Sequence, residues 1–389
     1  MHERGSNRRD FLSFPVRLAA AAAVSSGSPV RGEQGPPLAS WNLKIESRVT
    51  VSGTSTPRHR AFPAVEKLRN GELLVAYREG SDHWRTKDGV VKLVRSPDSG
   101  KTWSAPVTVL AAPGKNFGTH SGLAQLSDGS ILLPVLNYEP DRPWGIEYKA
   151  LNAQAGGSGP RRITSYILRS SDNGRTWSEP HSPRVDGLAE DFWWNPYGKI
   201  FQIPGSQTVL WPITRQKKME NFWRTGLLVS EDLGKTWTGY RNVASGLADE
   251  KNFLQVCKNR WICLIRDLKK PYYLYQSESY DNCVTWSPAK STGFYGHCPC
   301  LIRSPKGVLL AAHRNLNPEE SRGTGLHYSF DGGQSWHQGR PIYVSPESTN
   351  FDSSYPSFVR LASGEIFCVY YTVFRNGNSE IEGAFLTES

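Results

Sequence analysis

One eight-residue pattern, Ser-x-Asp-x-Gly-x-Thr-Trp, recurs five times, at 96–103, 170–177, 230–237, 279–286 and 329–336, with Ser335 in the Thr position of the last. Its Asp residues stand at 98, 172, 232, 281 and 331, so one structural unit of roughly 50 to 75 residues is being copied, the signature of a propeller or solenoid. Each element of the pattern has a turn-forming reason. Asp accepts backbone N–H bonds, Gly supplies a positive φ, and Trp packs between neighbouring sheets. The pattern is therefore structural rather than catalytic. The fourth copy carries Cys283 where Gly belongs, which predicts a distorted turn there.

A second repeat sets the number of units. Six segments read as strand, turn and strand: Val65 to Arg78 about Asn70-Gly71, Leu123 to Tyr138 about Asp128-Gly129, Ile200 to Arg215 about Pro204-Gly205, Phe253 to Arg266 about Lys258-Asn259, Leu301 to Arg314 about Lys306-Gly307, and Phe358 to Tyr371 about Ser363-Gly364. Turn pairs with Gly or Asn between β-rich runs are the short-range hairpin signal. Continuous apolar runs such as Val308-Leu309-Leu310-Ala311-Ala312 suit strands buried on both faces. The expectation is an all-β chain: one six-bladed propeller of four-stranded antiparallel blades over residues 41–389. The sixth blade lacks the turn pattern, so Trp41 to Val51 is expected to supply its outer strand and close the ring.

Residues 1–32 read differently. Arg8-Arg9-Asp10-Phe11-Leu12 followed by the apolar run Leu18 to Val24 has the form of a twin-arginine export signal. The run is too short to span a bilayer, so the expectation is an exported, periplasmic or extracellular monomer without an integral membrane segment. The six cysteines match no paired Cys-x-x-Cys zinc spacing and no small disulfide scaffold; buried free thiols are expected. No Gly-rich phosphate loop and no Cys/His metal motif is present, so neither a metal nor an organic cofactor is expected.

The net charge is +10, and removing 1–32 takes away five arginines, one Glu and one Asp, leaving the rest near +7. A basic surface calls for an anionic partner. There is no dense Lys/Arg run interleaved with aromatics, which argues against nucleic acid and for an acidic glycan.

In a propeller, the residues just before and just after each inner hairpin meet around the axis. At the starts these are Arg60, His120, Asn195, Glu250, His297 and Tyr355; at the ends, Arg78, Tyr138, Arg215, Arg266, Arg314 and Tyr371. Four of the six ends are Arg, the side chain that grips a carboxylate bidentately. Asp82, His83 and Asp88 follow Arg78 in the next loop. A Tyr beside a Glu base, faced by a carboxyl able to protonate a leaving group, is the composition of a glycosidase with a Tyr nucleophile.

With these residues in view, the five turns and six hairpins, spanning 45 to 389, resemble the sialidase (neuraminidase) superfamily of six-bladed BNR, or Asp-box, propellers. The resemblance implies that Glu250 is the fourth-blade Glu followed across its hairpin by the triad Arg266, that Arg314 is the third triad Arg, and that Tyr355, in Asp352-Ser353-Ser354-Tyr355-Pro356-Ser357, is the nucleophile. Arg78 is similar to the additional Arg of the first blade. The general acid implied is Asp88 or Asp82, with Asp88 preferred because it leads into the strand ending at Arg95. The family's Arg-Ile-Pro is replaced by Arg60-Ala61-Phe62-Pro63, so the first triad position departs from the pattern. Arg60, Arg215, His120 and His297 complete the expected substrate-binding ring. The activity implied is retaining hydrolysis of a terminal sialic acid from glycoconjugates; the displaced Arg60 and the two His leave open another acidic glycan, uronate or sulfated, or a non-catalytic glycan-binding role. The insert Glu139 to Ile163, with Trp144 and Tyr148, is expected to wall the site.

Overall fold

The computed structural model describes residues 41–53, 58–83, 86–120, 122–138, 163–185, 193–216, 223–247, 250–349, 351–374 and 378–389. The export-type segment and the insert after Glu139 lie outside them. Contacts divide the chain into 1–33 and 34–389, and the second unit is a six-bladed β-propeller.

The first strand, β1 (Leu43–Ser52), belongs to the last blade. Blade 1 is β2 (His59–Lys67), β3 (Leu73–Gly80), β4 (Val90–Ser96) and β5 (Val107–Leu110). In blade 2 the inner strand is split into β6 (Phe117–Gly118) and β7 (Ala124–Gln125), both paired to β8 (Ile131–Tyr138), with β9 (Ile163–Ser170) outside it. Blade 3 is likewise split at β10 (Trp193–Asn195) and β11 (Phe201–Gln202), followed by β12 (Val209–Gln216), β13 (Arg224–Ser230) and β14 (Gly239–Ser245). Blade 4 runs β15 (Lys251–Cys257), β16 (Arg260–Arg266), β17 (Tyr273–Ser279), β18 (Lys290–Tyr295). Blade 5 runs β19 (His297–Arg303), β20 (Leu309–Arg314), β21 (Thr324–Ser329), β22 (Ile342–Tyr343). In blade 6, β23 (Ser354–Arg360), β24 (Ile366–Val373) and β25 (Ser379–Glu388) are completed by β1, which pairs antiparallel with β25 from Leu43↔Glu388 to Ser52↔Ile381. The ring is thus closed by the two ends of the propeller segment, which removes two sheet edges at once.

The core lies between blades. Six clusters of buried apolar side chains fill the six gaps, for example Leu310, Ala312 and Leu326 of blade 5 against Phe358, Ile366 and Tyr370 of blade 6, and Leu74, Ala76 and Leu93 of blade 1 against Ile131 and Leu133 of blade 2.

The repeated turns share one scheme of Ser, Asp and Thr or Ser hydrogen bonds, to which the first two add a bond from the Trp indole. In the first, Ser96 Oγ donates to Asp98 and accepts from Gly100 N, Thr102 N and Oγ1 donate to Asp98 at 2.9 and 2.7 Å, and Trp103 Nε1 donates to Gly100 O. Trp103 then stacks on Phe367 of blade 6, 5.9 Å between centroids. The distortion expected at Cys283 is not found. Cys283 adopts the left-handed conformation itself, φ 66°, and keeps the bonds of the other copies, including Cys283 N to Ser279 Oγ at 2.9 Å and Thr285 N to Asp281 at 2.9 Å. The hydrogen bonds outweigh the steric cost of a Cβ at positive φ. All six cysteines are free; five are buried as expected, whereas Cys257 is exposed, because it sits at the tip of the β15–β16 hairpin. Among the described residues no helix is long and apolar enough to cross a membrane.

Candidate functional site

Three inner strands begin with a bulge. Register slips between Ala61 and Ala64, between His297 and Cys300, and between Ser354 and Ser357. At these bulges four non-Gly residues take positive φ: Phe62 at 59°, Cys298 at 43°, Ser354 at 82° and Tyr355 at 48°. Bulges re-aim side chains, and such strain persists only where the surroundings over-determine it. Here they turn the starts of blades 1, 5 and 6 toward one another.

Glu250, just before β15, lies at the centre of the resulting group. Its Oε1 accepts a short hydrogen bond from the Tyr355 hydroxyl and pairs with Arg266 Nη1 at 2.7 Å; its Oε2 accepts Cys298 N at 3.1 Å. Burial by itself would raise the Glu250 carboxyl, but the Arg266 guanidinium, with Arg314 and the Tyr355 hydroxyl, brings it below the usual carboxylate range. Burial beside that anion pushes the Tyr355 hydroxyl well above its ordinary value. The pair is therefore an ionised carboxylate holding a protonated phenol, the proton placed to move from Tyr355 to Glu250. Arg314 stacks over Tyr355, its guanidinium carbon 5.3 Å from the ring centre, and donates through Nε to Ser353 O at 2.8 Å.

The two ring histidines are held neutral. Burial, reinforced by Arg266, pushes His297 down to about 2, and burial pushes His120 well below its ordinary value. His120 stacks on Phe62 at 4.5 Å and meets Tyr197 edge-on at 4.2 Å.

Other candidates lie apart from Tyr355 and Glu250. Arg60 pairs through Nε with Glu79 at 2.9 Å, and its backbone N donates to Ser379 Oγ at 2.6 Å, between blades 1 and 6. Arg215 lies over the Tyr240 ring at 3.9 Å. Arg78, fully buried and pushed down to about 10 by that burial, still bears its charge at neutral pH; it donates to Asn116 Oδ1 and Asp82 O, 2.9 Å each. Asp82 Oδ1 accepts His83 N at 2.6 Å, which shapes the turn that presents His83. Asp88 accepts from four donors: Arg58 at 2.7 Å, Ser81 N and Oγ at 3.1 and 3.0 Å, and a short bond from Thr86. Burial opposes its ionisation, yet these donors outweigh burial and hold it well below the usual carboxylate range.

Sequence reasoning did not select Phe62, His59 or Asp352, nor give His83 a role. Phe62 is the hub of the ring, touching Tyr355 at 4.7 Å, His83 at 5.2 Å and Tyr371 at 5.7 Å as well as His120. Asp352 accepts from Tyr371 Oη at 2.5 Å and His59 Nε2 at 2.8 Å, and lies 2.8 Å from His83 Nδ1. The positive φ of Phe62, between Ala61 and Pro63, leaves no trace in residue type. The short step from Asp352 to Tyr355 was the available signal. The donor atoms of His59, His83 and Asp352 approach one another within 4.8 Å, close enough for a divalent metal. However, His59 Nδ1 is buried with no hydrogen-bond partner among the described residues. A metal on Nε2 would place an N–H there with no acceptor, contrary to the usual support of a metal-ligating His. The set fits hydrogen-bonded imidazole–carboxylate pairs better than a metal centre.

The fold has relatives among solved structures. A protein of unknown function from Dyadobacter fermentans DSM 18053 superposes with a TM-score of 0.72 at 22% identity, covering 88% of this chain and 98% of that one. The Hadza microbial sialidase Hz136 gives 0.63 at 18% identity over 84% of this chain and 65% of its own, and Trypanosoma rangeli sialidase 0.62 at 15% identity over 88% and 58%. The chain thus spans less than two thirds of the length of these two sialidases. At such identities the likeness is one of fold. No curated protein matches the chain. The model of the BNR repeat-like domain family matches residues 148–368, more than half of the chain, and the protein belongs to that family.

Proposed function

We propose that this protein is a retaining exo-glycosidase that removes terminal sialic acid from glycoconjugates. The observation that carries the reading is the Tyr355 hydroxyl donating to an ionised, buried Glu250 that is itself paired with Arg266. A sialoside bears a carboxylate on its anomeric carbon, which repels an Asp or Glu nucleophile but not a neutral phenol. Glu250 takes the Tyr355 proton as the phenolic oxygen attacks, and Arg266 and Arg314 offer the substrate carboxylate its cationic partners. The fold likeness to two sialidases supports the same reading.

A second reading, an enzyme acting on a uronate or sulfated glycan, is favoured by one observation. Arg60 is engaged with Glu79, which leaves two arginines rather than three beside Tyr355. Release of 4-methylumbelliferone from its α-sialoside, measured for the purified chain beside Tyr355→Phe, separates the two. Turnover that disappears in the variant is expected. Turnover on uronides or sulfated glycosides but not on sialosides would reject the first reading and favour the second.

A further inference from the structure

We propose that His83, oriented by Asp352, is the residue that exchanges a proton with the leaving group and then with water, a role that neither Asp88 nor Asp82 fills. The proposal rests on the retaining mechanism above and adds its missing acid.

Three observations support it. First, the carboxylates of the two nearby aspartates bond to the chain around them. Asp88 carries an ion pair with Arg58 and accepts hydrogen bonds from Ser81 and Thr86, four donors that favour its ionised form over the protonated one an acid needs. Asp82 Oδ1 caps the His83 backbone. Second, Asp352 and His83 form an oriented pair. Oδ1 of Asp352 lies 2.8 Å from Nδ1 of His83, while its Oδ2 accepts from His59 and its Oδ1 also accepts from Tyr371. A carboxylate on Nδ1 selects the tautomer that leaves Nε2 to exchange protons on the far side of the ring, the logic by which an acid–base His is set in catalytic triads. Third, the placement suits the task. The rings of His83 and Tyr355 both pack edge-on against Phe62, at 5.2 and 4.7 Å, so the two groups border the same aromatic hub. The His83 side chain is 33% exposed and Asp352 29%, whereas Tyr355 is 8% exposed; the acid thus stands on the solvent side, where a leaving aglycone departs.

The steps balance. As the C–O bond from the anomeric carbon to Tyr355 forms, the glycosidic C–O bond breaks, Glu250 receives the phenolic proton, and Nε2–H of His83 protonates the departing oxygen. In the second step His83 Nε2 takes a proton from water, the hydroxyl adds to the anomeric carbon as the C–O bond to Tyr355 breaks, and Glu250 returns its proton to the departing phenolic oxygen.

The groups facing His83 are Asp352, His59, Arg78 and His120. Burial lowers its imidazole, with Asp352 opposing that shift and His59 and Arg78 reinforcing it. The protonated form needed for the first step is therefore populated only below the ordinary His value, about 6.5, and turnover is expected to fall as pH rises through that region.

The test compares His83→Gln, Asp352→Asn, Asp88→Asn and Tyr355→Phe on an α-linked sialyl-lactose and on an aryl sialoside with a strongly acidic phenol. His83→Gln should lose 10²–10⁴-fold in kcat on the sialyl-lactose, the usual contribution of general acid catalysis, and less than tenfold on the aryl substrate. Asp352→Asn should move the alkaline limb of the pH profile to lower pH, and Asp88→Asn should leave the ratio between substrates unchanged. Equal losses for His83→Gln on both substrates, or a selective loss in Asp88→Asn, overturn the role of His83. Retained turnover in Tyr355→Phe instead overturns the retaining Tyr mechanism, a distinct result. If no sialoside is turned over, ¹⁵N NMR of the full chain decides: an Nδ1–H tautomer of His83 that Asp352→Asn disturbs supports the pair, and an Nε2–H tautomer refutes it.

Discussion

Replacing Glu250 by Gln should destabilise the propeller by about 3–5 kcal/mol, the cost of removing one partner from a buried ion pair. The structure shows why the isosteric change is not neutral. Glu250 is 3% exposed and uses both oxygens, Oε1 toward Tyr355 and Arg266, Oε2 toward Cys298 N. Gln has one acceptor oxygen. If that oxygen faces Arg266 and Tyr355, its NH₂ meets the Cys298 N–H, donor against donor; turned round, it meets Arg266. One bond to a charged group, about 1.5–3 kcal/mol, is lost in either rotamer, and the Arg266 charge, with a side chain only 15% exposed, loses its counter-ion. Urea unfolding of the full chain, followed by Trp fluorescence and by circular dichroism, reads the difference as a shift in midpoint at constant slope. Glu46→Gln is the control. Its pair with Lys44 is solvent-exposed, 35% and 66%, and its loss should leave the midpoint where it is. A loss below about 1 kcal/mol for Glu250→Gln as well would refute the account of Glu250 as the counter-charge that holds Arg266 at the axis.

Two further outcomes are expected. Asp98, whose carboxylate is bound by the Thr102 hydroxyl and amide, is held down to about 2, and Asp232, where the Thr236 donors overcome burial, likewise. Folded-state values depressed in this way contribute stability that is fully present above the unfolded value, about 3.9, and is lost as pH falls through about 2; the melting temperature should drop over that window, less steeply in Asp98→Asn, and an unchanged acid limb in the variant would count against the turns as its origin. Of the six free cysteines only Cys257 is exposed, so a thiol reagent should label one group rapidly in the native chain and six in denaturant; two or more fast thiols would contradict the buried positions.

Blade number, blade order and ring closure were legible in the chain because they depend on local chemistry repeated many times. Each turn encodes its own Ser, Asp and Thr bonds, and each hairpin its own turn pair, so no long-range information is needed to count them. The strand Trp41 to Val51 was legible by subtraction, and β1 pairs with β25 along its length. The same regularity brought Glu250, Tyr355, Arg266 and Arg314 onto one list, since each flanks an inner hairpin.

What the list lacked was direction. A side chain one residue out of step on a strand points to the opposite face, and three inner strands here start with bulges that the residue pattern does not reveal. The bulge at Phe62 puts an aromatic at the hub of the ring, while Arg60 is held against Glu79 and Arg215 lies over Tyr240. His59, His83 and Asp352 come from two blades and a loop nearly 300 residues apart in sequence. By itself, the sequence determined a six-fold β-ring and which residues stand near its axis, because propensity and turn chemistry are local. Only the tertiary structure decided which of them face one another, because burial, ion pairing and bulged register are properties of the assembled blades.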